Sequence, residues 1–530
     1  GPPDSTPPAD VPVRHRDSST YRYFDMMIKR HRSWLAAVLT AAALPVPGLA
    51  QGAPEADGAV ARGDKELHYC HLPNYRQEVL CGSHSVFEDR MARAGRKIDI
   101  HFAIVPAVGE PAADPVVVFA GGPGQAATSL VRLIPVIFED LLESRDVVLI
   151  DQRGMGRSHP LECEFPDFDL EEDPAVAEAR TINQLRACVD AWDADPSLYT
   201  QDLANGDIHD ILTALGYGRA NLYGGSWGTR SALLYAHRYP EHVRSVILDG
   251  ALPLENPAPL YAAEDAERAL RGLFDDCAAD AACSQAFPDL EGDMRRALAL
   301  LEDAEAEAGG AAPRVEIPDP LTGATLRAAL DRETFGALLR GLLYSPELGR
   351  LTPWLIHRAA QGDYRALAAA SSSFTSGLAG AMTPATQLAI FCAEEIPRAG
   401  DRRPQPAPLI GLQMWGAISG GCDAFPPLPT PAIYSEDVRS GAPALVLSGD
   451  RDPITPPRWG EAMLDALDNA VHLVAPFTGH NVSPVGCGPE LIATFIESPD
   501  PAALDGTCLK GIKRPSFFVD PSGPAMGGAR

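Results

Sequence analysis

Short runs of consecutive apolar residues alternate with helical patterns along the chain from Asp99 onward. The runs read PVVVFAGG, RDVVLIDQRG, ANLYGGS, RSVILDGA and, much later, APALVLSGD. Continuous runs of Val, Ile and Leu of this length are typical of strands that are buried on both faces of a sheet. The pattern therefore predicts a parallel sheet flanked by helices, which is an α/β architecture.

A long stretch of helical periodicity separates the last apolar run from the others. Apolar residues in this stretch recur at helical spacing, as in the set Leu270, Leu273, Phe274 and Cys277. Breaks rich in proline and glycine near residues 308–320 and 400–410 predict loops inside it. We therefore predict a helical insertion at 253–435 that divides a sheet domain into parts at 66–252 and 436–518.

The N-terminal region contains MMIKRHRSWLAAVLTAAALPVPGLAQG, in which basic residues precede an apolar run and small residues follow it. This order predicts a secretory signal peptide at residues 26–50, cleaved after Ala50. A membrane helix is the less favoured alternative, because the apolar run is about half as long as a bilayer requires. We also expect a leader at 1–25, a linker at 51–65 and a disordered tail at 519–530.

The charge balance narrows the choice of partners. The chain has 530 residues, and Lys+Arg 44 against Asp+Glu 71 gives a net charge of −27. Such a surface repels phosphate backbones, so we expect no nucleic-acid partner. No cysteine follows the small residues of the signal peptide, so we expect no lipid anchor and no stable membrane association.

The chain has ten cysteines, an even number that suits the oxidising compartment implied by export. Their spacing lacks the paired CxxC pattern of a zinc site, so we predict disulfides, with the connectivity left open by the sequence. The cysteines fall into these neighbouring pairs: Cys70/Cys81, Cys163/Cys188, Cys277/Cys283, Cys392/Cys422 and Cys487/Cys508.

One serine stands among three glycines in the segment NLYGGSWGTR. Gly224-Gly225-Ser226-Trp227-Gly228 fits the pattern G-x-S-x-G between a short strand and a helix. A sharp strand-to-helix turn crowds the flanking residues and exposes the serine hydroxyl at a helix N-terminus. The motif therefore favours Ser226 as a nucleophile, and a plain glycine turn is the alternative.

A serine nucleophile requires a base and an orienting acid, which follow it along the chain in the order Ser, Asp/Glu, His. His480 lies in the glycine-flanked loop TGHN and is preferred as the base over His472, which lies in a strand-like run. Asp452 is preferred as the acid over Asp450, because Pro453 restricts the backbone of Asp452 and so fixes the direction of its carboxylate.

The negative charge that develops on a substrate carbonyl oxygen requires backbone N–H donors. Trp227 directly follows the candidate nucleophile and supplies one of them. The second is expected in the glycine-rich loop AGGPGQ after an early strand, where Gly122 is preferred and Pro123 has no N–H.

These motifs together resemble the α/β-hydrolase peptidases that include prolyl iminopeptidases and tripeptidyl aminopeptidases. The resemblance extends from about Cys70 to Phe518 and is closest to the exported branch with a tripeptidyl-aminopeptidase-like C-terminal region. Prolyl iminopeptidases usually have His at the position of Ala120, which favours the tripeptidyl type. The segments that carry the resemblance are AGGPGQ at 120, DQRGMGRS at 151, GGSWGTR at 224, GDRDPITPP at 449 and GHN at 479.

The resemblance implies an α/β-hydrolase fold with a large helical cap, and acyl transfer to water without a metal or organic cofactor. It carries over Ser226 as nucleophile, Asp452 as acid and His480 as base, with Gly122 and Trp227 as oxyanion donors. It implies peptide substrates with a free N-terminus. Asp151 and Arg153 are expected to brace loops around the site.

The segment AIFCAEEIPR resembles the cap of the exported branch, in which carboxylates bind the substrate's ammonium. Glu394 or Glu395 is the corresponding candidate, and a solvated helix face is the alternative. Two rival functions remain at this stage. A carboxylesterase would share every catalytic residue, since fold and triad do not fix the acyl group. A non-catalytic binding protein on the same scaffold would lack a triad member.

Overall fold

The computed structural model describes residues 59–163, 174–318, 325–370, 381–411 and 413–525. The predicted leader and signal peptide lie outside these ranges. The strands, in chain order, are β1 Val60–Arg62, β2 Lys65–Cys70, β3 Val79–Phe87, β4 Lys97–Val105, β5 Val116–Phe119, β6 Val147–Ile150, β7 Ala220–Gly225, β8 Val243–Asp249, β9 Arg314–Pro318, β10 Thr325–Ala329, β11 Ala444–Gly449, β12 Ala470–Ala475, β13 Phe518–Asp520 and β14 Gly523–Pro524.

The main sheet of the described residues has the strand order β1-β2-β3-β4-β6-β5-β7-β8-β11-β12. Strands β1 to β4 pair antiparallel, and β4 also pairs antiparallel with β6. The remaining strands, from β6 to β12 in this order, pair parallel. The predicted parallel sheet is thus the larger part of a mixed sheet.

The α-helices are α1 Ile134–Ile137, α2 Pro174–Ala191, α3 Gln201–Ala214, α4 Trp227–Arg238, α5 Ala258–Ala279, α6 Ala281–Ala286, α7 Leu290–Glu307, α8 Arg332–Leu342, α9 Pro346–Gly349, α10 Thr352–Ala359, α11 Pro384–Ile390, α12 Ile396–Ala399, α13 Gln413–Gly421, α14 Pro457–Met463 and α15 Gly488–Glu497. A 3₁₀ helix, Ala127–Leu133, precedes α1, and a π-helix, Phe391–Glu395, joins α11 to α12. No helix of the described residues is long and apolar enough to span a membrane.

Both faces of the sheet are covered, because every residue of β5 and β6 is buried. Alternate residues of a strand point to opposite faces, and β5 divides accordingly. Val117 and Phe119 join an apolar cluster with helices α3 and α4. Val116 and Val118 join a second cluster with α1 and α15. The continuous apolar runs in the sequence therefore predicted the double burial correctly.

The segment between β8 and β11, called the insertion below, contains helices α5 to α13 and a separate apolar cluster. Leu270, Leu273, Phe274 and Cys277 lie in this cluster on one side of α5, as their spacing predicted. One difference concerns the break at 308–320, where the structure has strand β9 paired with β10. The alternation in Arg-Val-Glu-Ile is a strand pattern that the neighbouring glycines and prolines obscured.

The sheet and the C-terminal region also differ from the expected boundaries. Strand β1 and the start of β2 precede residue 66 and lie within the expected linker, where Gly63 has a φ of 53° in the turn between them. At the other end, β13 and β14 pair within the expected disordered tail. Both pairs consist of short segments whose partners are local, so neither has a long apolar run to mark it.

Disulfides form between the neighbouring cysteines of the sequence: Cys70–Cys81, Cys163–Cys188, Cys277–Cys283, Cys392–Cys422 and Cys487–Cys508. The predicted disulfides are confirmed, and the structure assigns the connectivity that the sequence left open. Each bridge closes a short segment, and Cys392–Cys422 connects the π-helix to the residue that follows α13.

Candidate active site

Ser226 stands at the turn from β7 into α4, with φ 57° and ψ −126°. This region of backbone space is sparsely populated by non-glycine residues. A Cβ added at Gly224 would lie 2.5 Å from the carbonyl oxygen of Gly228, and one at Gly228 would lie 2.0 Å from that of Phe119. Both positions therefore require glycine. Gly225 is different, because a Cβ there would meet no atom nearer than 3.6 Å.

His480 and Asp452 form a hydrogen-bonded pair, with 2.8 Å between His480 Nδ1 and Asp452 Oδ2. The side chain of Asp452 is fully buried and that of His480 is 8% exposed. Asp452 also accepts from the N–H groups of Ile454 at 2.7 Å and Thr455 at 2.9 Å. The proton on Nδ1 faces the carboxylate, which leaves His480 Nε2 free to accept a proton.

The electrostatics of the pair are coupled. Burial raises the pKa of Asp452, but the charge of His480 and the hydrogen bonds outweigh burial and leave this pKa below its ordinary value. Burial lowers the pKa of His480, but the charge of Asp452 outweighs burial and raises this pKa above its ordinary value. The carboxylate therefore stabilises the imidazolium that forms when His480 takes a proton.

The two alternatives weighed from the sequence have other partners. Asp450 pairs with Arg451 at 2.9 Å between Oδ2 and Nη1. His472 lies in β12, and its Nε2 is 3.0 Å from Ser448 Oγ. The structure thus brings Asp452 and His480 together, whereas Asp450 and His472 lie in separate contacts.

The candidate residues follow neighbouring strands at the carboxyl edge of the parallel part of the sheet. Ser226 follows β7, Asp452 follows β11 and His480 follows β12, and β8 lies between β7 and β11. The turn after β8 connects them: Ser226 N–H donates to the Asp249 carbonyl at 2.8 Å. A Cβ at Gly250 would lie 3.2 Å from His480 Cε1. Open α/β sheets commonly place their functional groups at this edge.

The loop after β5 lies beside the nucleophile. A Cβ at Gly121 would lie 3.1 Å from Ser226 Cβ and 3.6 Å from Ser226 Oγ. Gly122 has a φ of 109°, which only glycine adopts readily. Trp227 is the first residue of α4, where N–H groups have no partner within the helix. Both expected oxyanion donors therefore belong to segments that border Ser226.

The insertion contacts this loop directly. Thr383 N–H donates to the Gly124 carbonyl at 2.9 Å, and Gln125 and Met382 form an isolated antiparallel bridge. A Cβ at Gly122 would lie 2.8 Å from Met382 Cε. Residues of the insertion thus hold the backbone of the loop that carries Gly122.

Glu394 and Glu395 are fully buried in the π-helix. Glu394 accepts from Gln201 N–H at 2.8 Å and from Tyr434 Oη. Burial raises the pKa of Glu394 to about 7. The structure therefore does not support the alternative of a solvated helix face, which would leave these side chains exposed.

The carboxylate of Glu395 is surrounded by cations and a backbone donor. It pairs with Arg230 of α4 and with Arg398, whose Nη1 is 2.9 Å from Oε1. Its second oxygen accepts from Ala258 N–H at 2.7 Å. Every oxygen of both glutamates thus has a protein donor. Glu395 joins the insertion to α4, and Glu394 joins it to the start of α3.

The side chain of Trp227 takes part in the same contact. Its ring packs edge-on against Phe391 of the π-helix, with 5.5 Å between ring centroids. The guanidinium of Arg230 lies 4.7 Å from the centre of the Trp227 ring. The residue after the nucleophile is therefore enclosed by the insertion.

Two contacts around the acid and the base have no local sequence signal. Arg268 of α5 donates to the carbonyl of Asp452 at 2.7 Å and to that of Asp450 at 3.3 Å. His480 N–H donates to the Tyr344 carbonyl at 2.8 Å, and the two rings meet edge-on at 5.3 Å. Both partners lie in the insertion, and only the tertiary fold places them here.

Asp151 and Arg153 brace the surrounding loops, as expected. Asp151 accepts from the backbone N–H and the hydroxyl of Thr128, at 2.9 and 3.0 Å. Arg153 makes two hydrogen bonds to Asp207, at 2.7 and 2.9 Å, and is fully buried. Neither side chain contacts Ser226 or His480 through any of these bonds.

Two family models match the chain. A model described as alpha/beta hydrolase fold matches residues 114–341. A model described as TAP-like protein matches residues 407–508. Together with the sheet order and the nucleophile turn, these matches define the class: the protein is an α/β hydrolase.

Curated relatives narrow the class further. The chain is 32% identical to a proline iminopeptidase of Neisseria gonorrhoeae over 154 residues, which cover 29% of this chain and 37% of the relative. It is 27% identical to the serine protease Hip1 of Mycobacterium tuberculosis over 442 residues, which cover 76% of this chain and 82% of the relative. A solved proline iminopeptidase of Mycobacterium smegmatis aligns with 80% of this chain and all of its own, with TM-score 0.39 and 17% identity. These matches support the family of α/β-hydrolase serine peptidases that includes proline iminopeptidases and TAP-like proteins.

Proposed function

We propose that the protein is an exported serine aminopeptidase that releases one or a few residues, of the proline or tripeptide type, from free peptide N-termini. The observation that carries this proposal is the hydrogen bond between His480 and Asp452 beside the strained turn at Ser226. The proline iminopeptidase and serine protease relatives support a peptide substrate. The disulfides support an oxidising compartment, and hence export.

In this proposal Ser226 Oγ attacks the carbonyl carbon of the scissile amide, and His480 Nε2 takes the hydroxyl proton. The N–H groups of Gly122 and Trp227 donate to the oxyanion of the tetrahedral intermediate. His480 then gives its proton to the departing amine, which leaves an ester on Ser226. Water then attacks the carbonyl carbon of this ester, and His480 takes the proton of the water. His480 returns this proton to Ser226 Oγ as the bond between Oγ and the acyl carbon breaks, which releases the acid. Removing one oxyanion donor typically costs about 100- to 1000-fold in rate.

The contacts of Glu394 and Glu395 support a role in closing the site rather than in direct binding of the substrate ammonium. Each carboxylate oxygen already accepts from a protein donor, and Glu395 already faces Arg230 and Arg398. An ammonium would have to displace these partners, which leaves buried charges unpaired. We therefore place Glu395 as a brace between the insertion and α4, and Glu394 as a brace between the insertion and the start of α3.

The experiment compares peptide amides with free and acetylated N-termini, at lengths of one to three residues before the scissile bond. We expect cleavage of the free forms only, and loss of about 10⁴-fold or more of the rate in Ser226→Ala. Labelling by a fluorophosphonate should disappear in the same variant, with its circular dichroism unchanged.

The variants Glu394→Gln and Glu395→Gln test the brace. Under this proposal both retain the preference for a free amine. Loss of the preference in either variant would instead make that glutamate the ammonium ligand. Equal rates on free and acetylated peptides in the wild type would refute the aminopeptidase and favour a carboxylesterase. Full activity of Ser226→Ala would refute the mechanism.

A further inference from the structure

A pocket opens beside Ser226 on the surface of the sheet domain, with about 540 Å³ of unfilled space that includes open solvent at its mouth. Ser226, Gly225 and Gly121 form its end at the nucleophile. The loop after β5, residues 120–125, is called the oxyanion loop below because it carries Gly122. The walls of the pocket are apolar and come mainly from the segment that follows this loop: Leu130, Leu133, Ile134, Ile137 and Phe138.

Ring and hydrogen-bond contacts hold the residues at the base of this pocket. Phe138 meets the ring of Tyr223 edge-on, with 5.3 Å between centroids. The Tyr223 hydroxyl is 2.7 Å from Ser483 Oγ, and Asp249 accepts from Ser483 N–H at 2.8 Å. The polar group of the buried tyrosine is thus satisfied within the protein, and its ring presents an apolar surface to the pocket.

Two observations assign this pocket to one side of the scissile bond. None of the described residues that line it belongs to the insertion, whereas the insertion covers the oxyanion loop through Met382 and Thr383. In addition, Asn481 lines the pocket and directly follows His480, the group that must give a proton to the departing amine. Both observations favour the leaving side of the scissile bond for this pocket.

We propose that this pocket binds an apolar side chain, aliphatic or aromatic, of the residue that supplies the departing amine. The assignment rests on the proposed peptidase function and adds a preference on the leaving side of the bond. Among the residues that the structure describes, no Asp, Glu, Lys or Arg lines the pocket, so a charged side chain would lose its hydration without gaining a partner there. Glycine at that position would leave the apolar walls in contact with water.

The binding of the leaving side can be measured separately by letting water and an added amine compete for the acyl-enzyme. An aminoacyl p-nitroanilide acylates Ser226, and added leucinamide or glycinamide then competes with water for the ester. The amine nitrogen bonds to the acyl carbon, the bond to Ser226 Oγ breaks, and the amine proton passes through His480 to Ser226. The ratio of new peptide to free acid reports binding of the added amine alone. We expect leucinamide to outcompete glycinamide by about 10-fold or more.

Leu133→Asp and Val136→Asp provide a matched pair. Leu133 is 43% exposed and lines the pocket, whereas Val136 is 49% exposed three residues further along and does not. Both substitutions add the same charge to a half-exposed site, so both variants should fold. We expect Leu133→Asp to reduce the preference for leucinamide about 10-fold and Val136→Asp to retain it.

The outcomes separate this assignment from the proposed function. An acyl-enzyme that partitions equally to leucinamide and glycinamide would overturn the assignment and leave the serine peptidase intact. An equal loss of preference in both aspartate variants would also overturn it, because charge rather than the pocket would then be the cause. Absence of any acyl-enzyme on Ser226 would overturn the proposed function and this assignment with it.

Discussion

Single residues set how closely the catalytic loops approach each other. A Cβ at Gly449, the last residue of β11, would lie 2.1 Å from the carbonyl oxygen of Gly479. The loop that carries His480 can therefore touch the strand end that leads to Asp452 only because Gly449 has no side chain. The same steric argument applies to Gly224 and Gly228 around Ser226. Gly449 thus permits the close approach of the two loops that the hydrogen bond between Asp452 and His480 requires.

The first prediction concerns pH. His480, the proposed base, can accept a proton only when it is neutral, and the charge of Asp452 outweighs burial and raises the pKa of His480 above the ordinary 6.5. We therefore expect kcat/KM to rise with pH through an apparent pKa above 6.5, and to fall as His480 becomes protonated at lower pH. In Asp452→Asn the apparent pKa should move down, and kcat should fall about 10⁴-fold.

Asp450→Asn is the control for this prediction, because Asp450 pairs with Arg451 and does not contact His480. Its pH profile should match that of the wild type. The assignment of Asp452 as the orienting acid fails if Asp452→Asn keeps the wild-type apparent pKa, or if Asp450→Asn produces the larger shift.

At the scale of elements, the insertion contacts the segments around the candidate site at three places. Its segment at Met382 and Thr383 contacts the oxyanion loop, and Arg268 of α5 donates to the carbonyl of Asp452. The π-helix contacts α4 through Glu395 and Arg230. Because each contact involves a different part of the insertion, a shift of the insertion would move the oxyanion loop, the acid loop and the nucleophile helix together.

The second prediction tests the brace at Glu394. Burial raises the pKa of Glu394 from 4.5 to about 7, so the folded protein binds a proton that the unfolded chain has lost between these pH values. The free energy of unfolding contributed by this group therefore falls as pH rises from about 4.5 to about 7. Glu394→Gln keeps the size and shape of the side chain but removes its ionisable carboxyl group. We expect urea unfolding to show a smaller loss of stability between pH 5 and 8 in this variant than in the wild type.

Glu395→Gln provides the contrast. It removes a carboxylate that faces Arg230 and Arg398, so we expect it to destabilise the protein by about 3 kcal/mol. An identical pH slope of stability in wild type and Glu394→Gln would contradict the assigned titration of Glu394.

The sequence identifies the elements whose signals are local. Ser226, Asp452 and His480 each lie in a short motif in which glycine or proline restricts the backbone, so the sequence alone suggests their roles. The contact of Arg268 with Asp452 joins residues 184 positions apart and leaves no local pattern. The same reason explains Glu394 and Glu395: their burial depends on how the insertion packs on α3 and α4, and two adjacent glutamates look solvated in isolation.

At the scale of the whole molecule, the strongly negative net charge contrasts with the uncharged lining of the pocket beside Ser226. The chain has a net charge of −27, and the predicted signal peptide at 26–50 contains Lys and Arg but no Asp or Glu, so its cleavage would make the protein more negative. In the described part of the chain, no acidic residue lines the apolar pocket beside Ser226. The surface field therefore acts on the approach of a substrate, while the pocket acts on the group next to the scissile bond.

The last prediction follows from this field. Peptide amides with Lys, Gln or Glu two residues beyond the scissile bond differ in charge but share the same bond and the same neighbours. A negative protein attracts the Lys peptide and repels the Glu peptide, and salt screens both effects because the Debye length falls from about 30 Å at 0.01 M to about 3 Å at 1 M. We expect kcat/KM for the Lys peptide to fall several-fold over this range, that for the Glu peptide to rise and that for the Gln peptide to change least, as steering requires. Sucrose at matched osmolality is the control and should leave the order of the three peptides unchanged. If all three respond to salt alike, the surface charge does not steer substrates, and its effect on rate is confined to the stability of the fold.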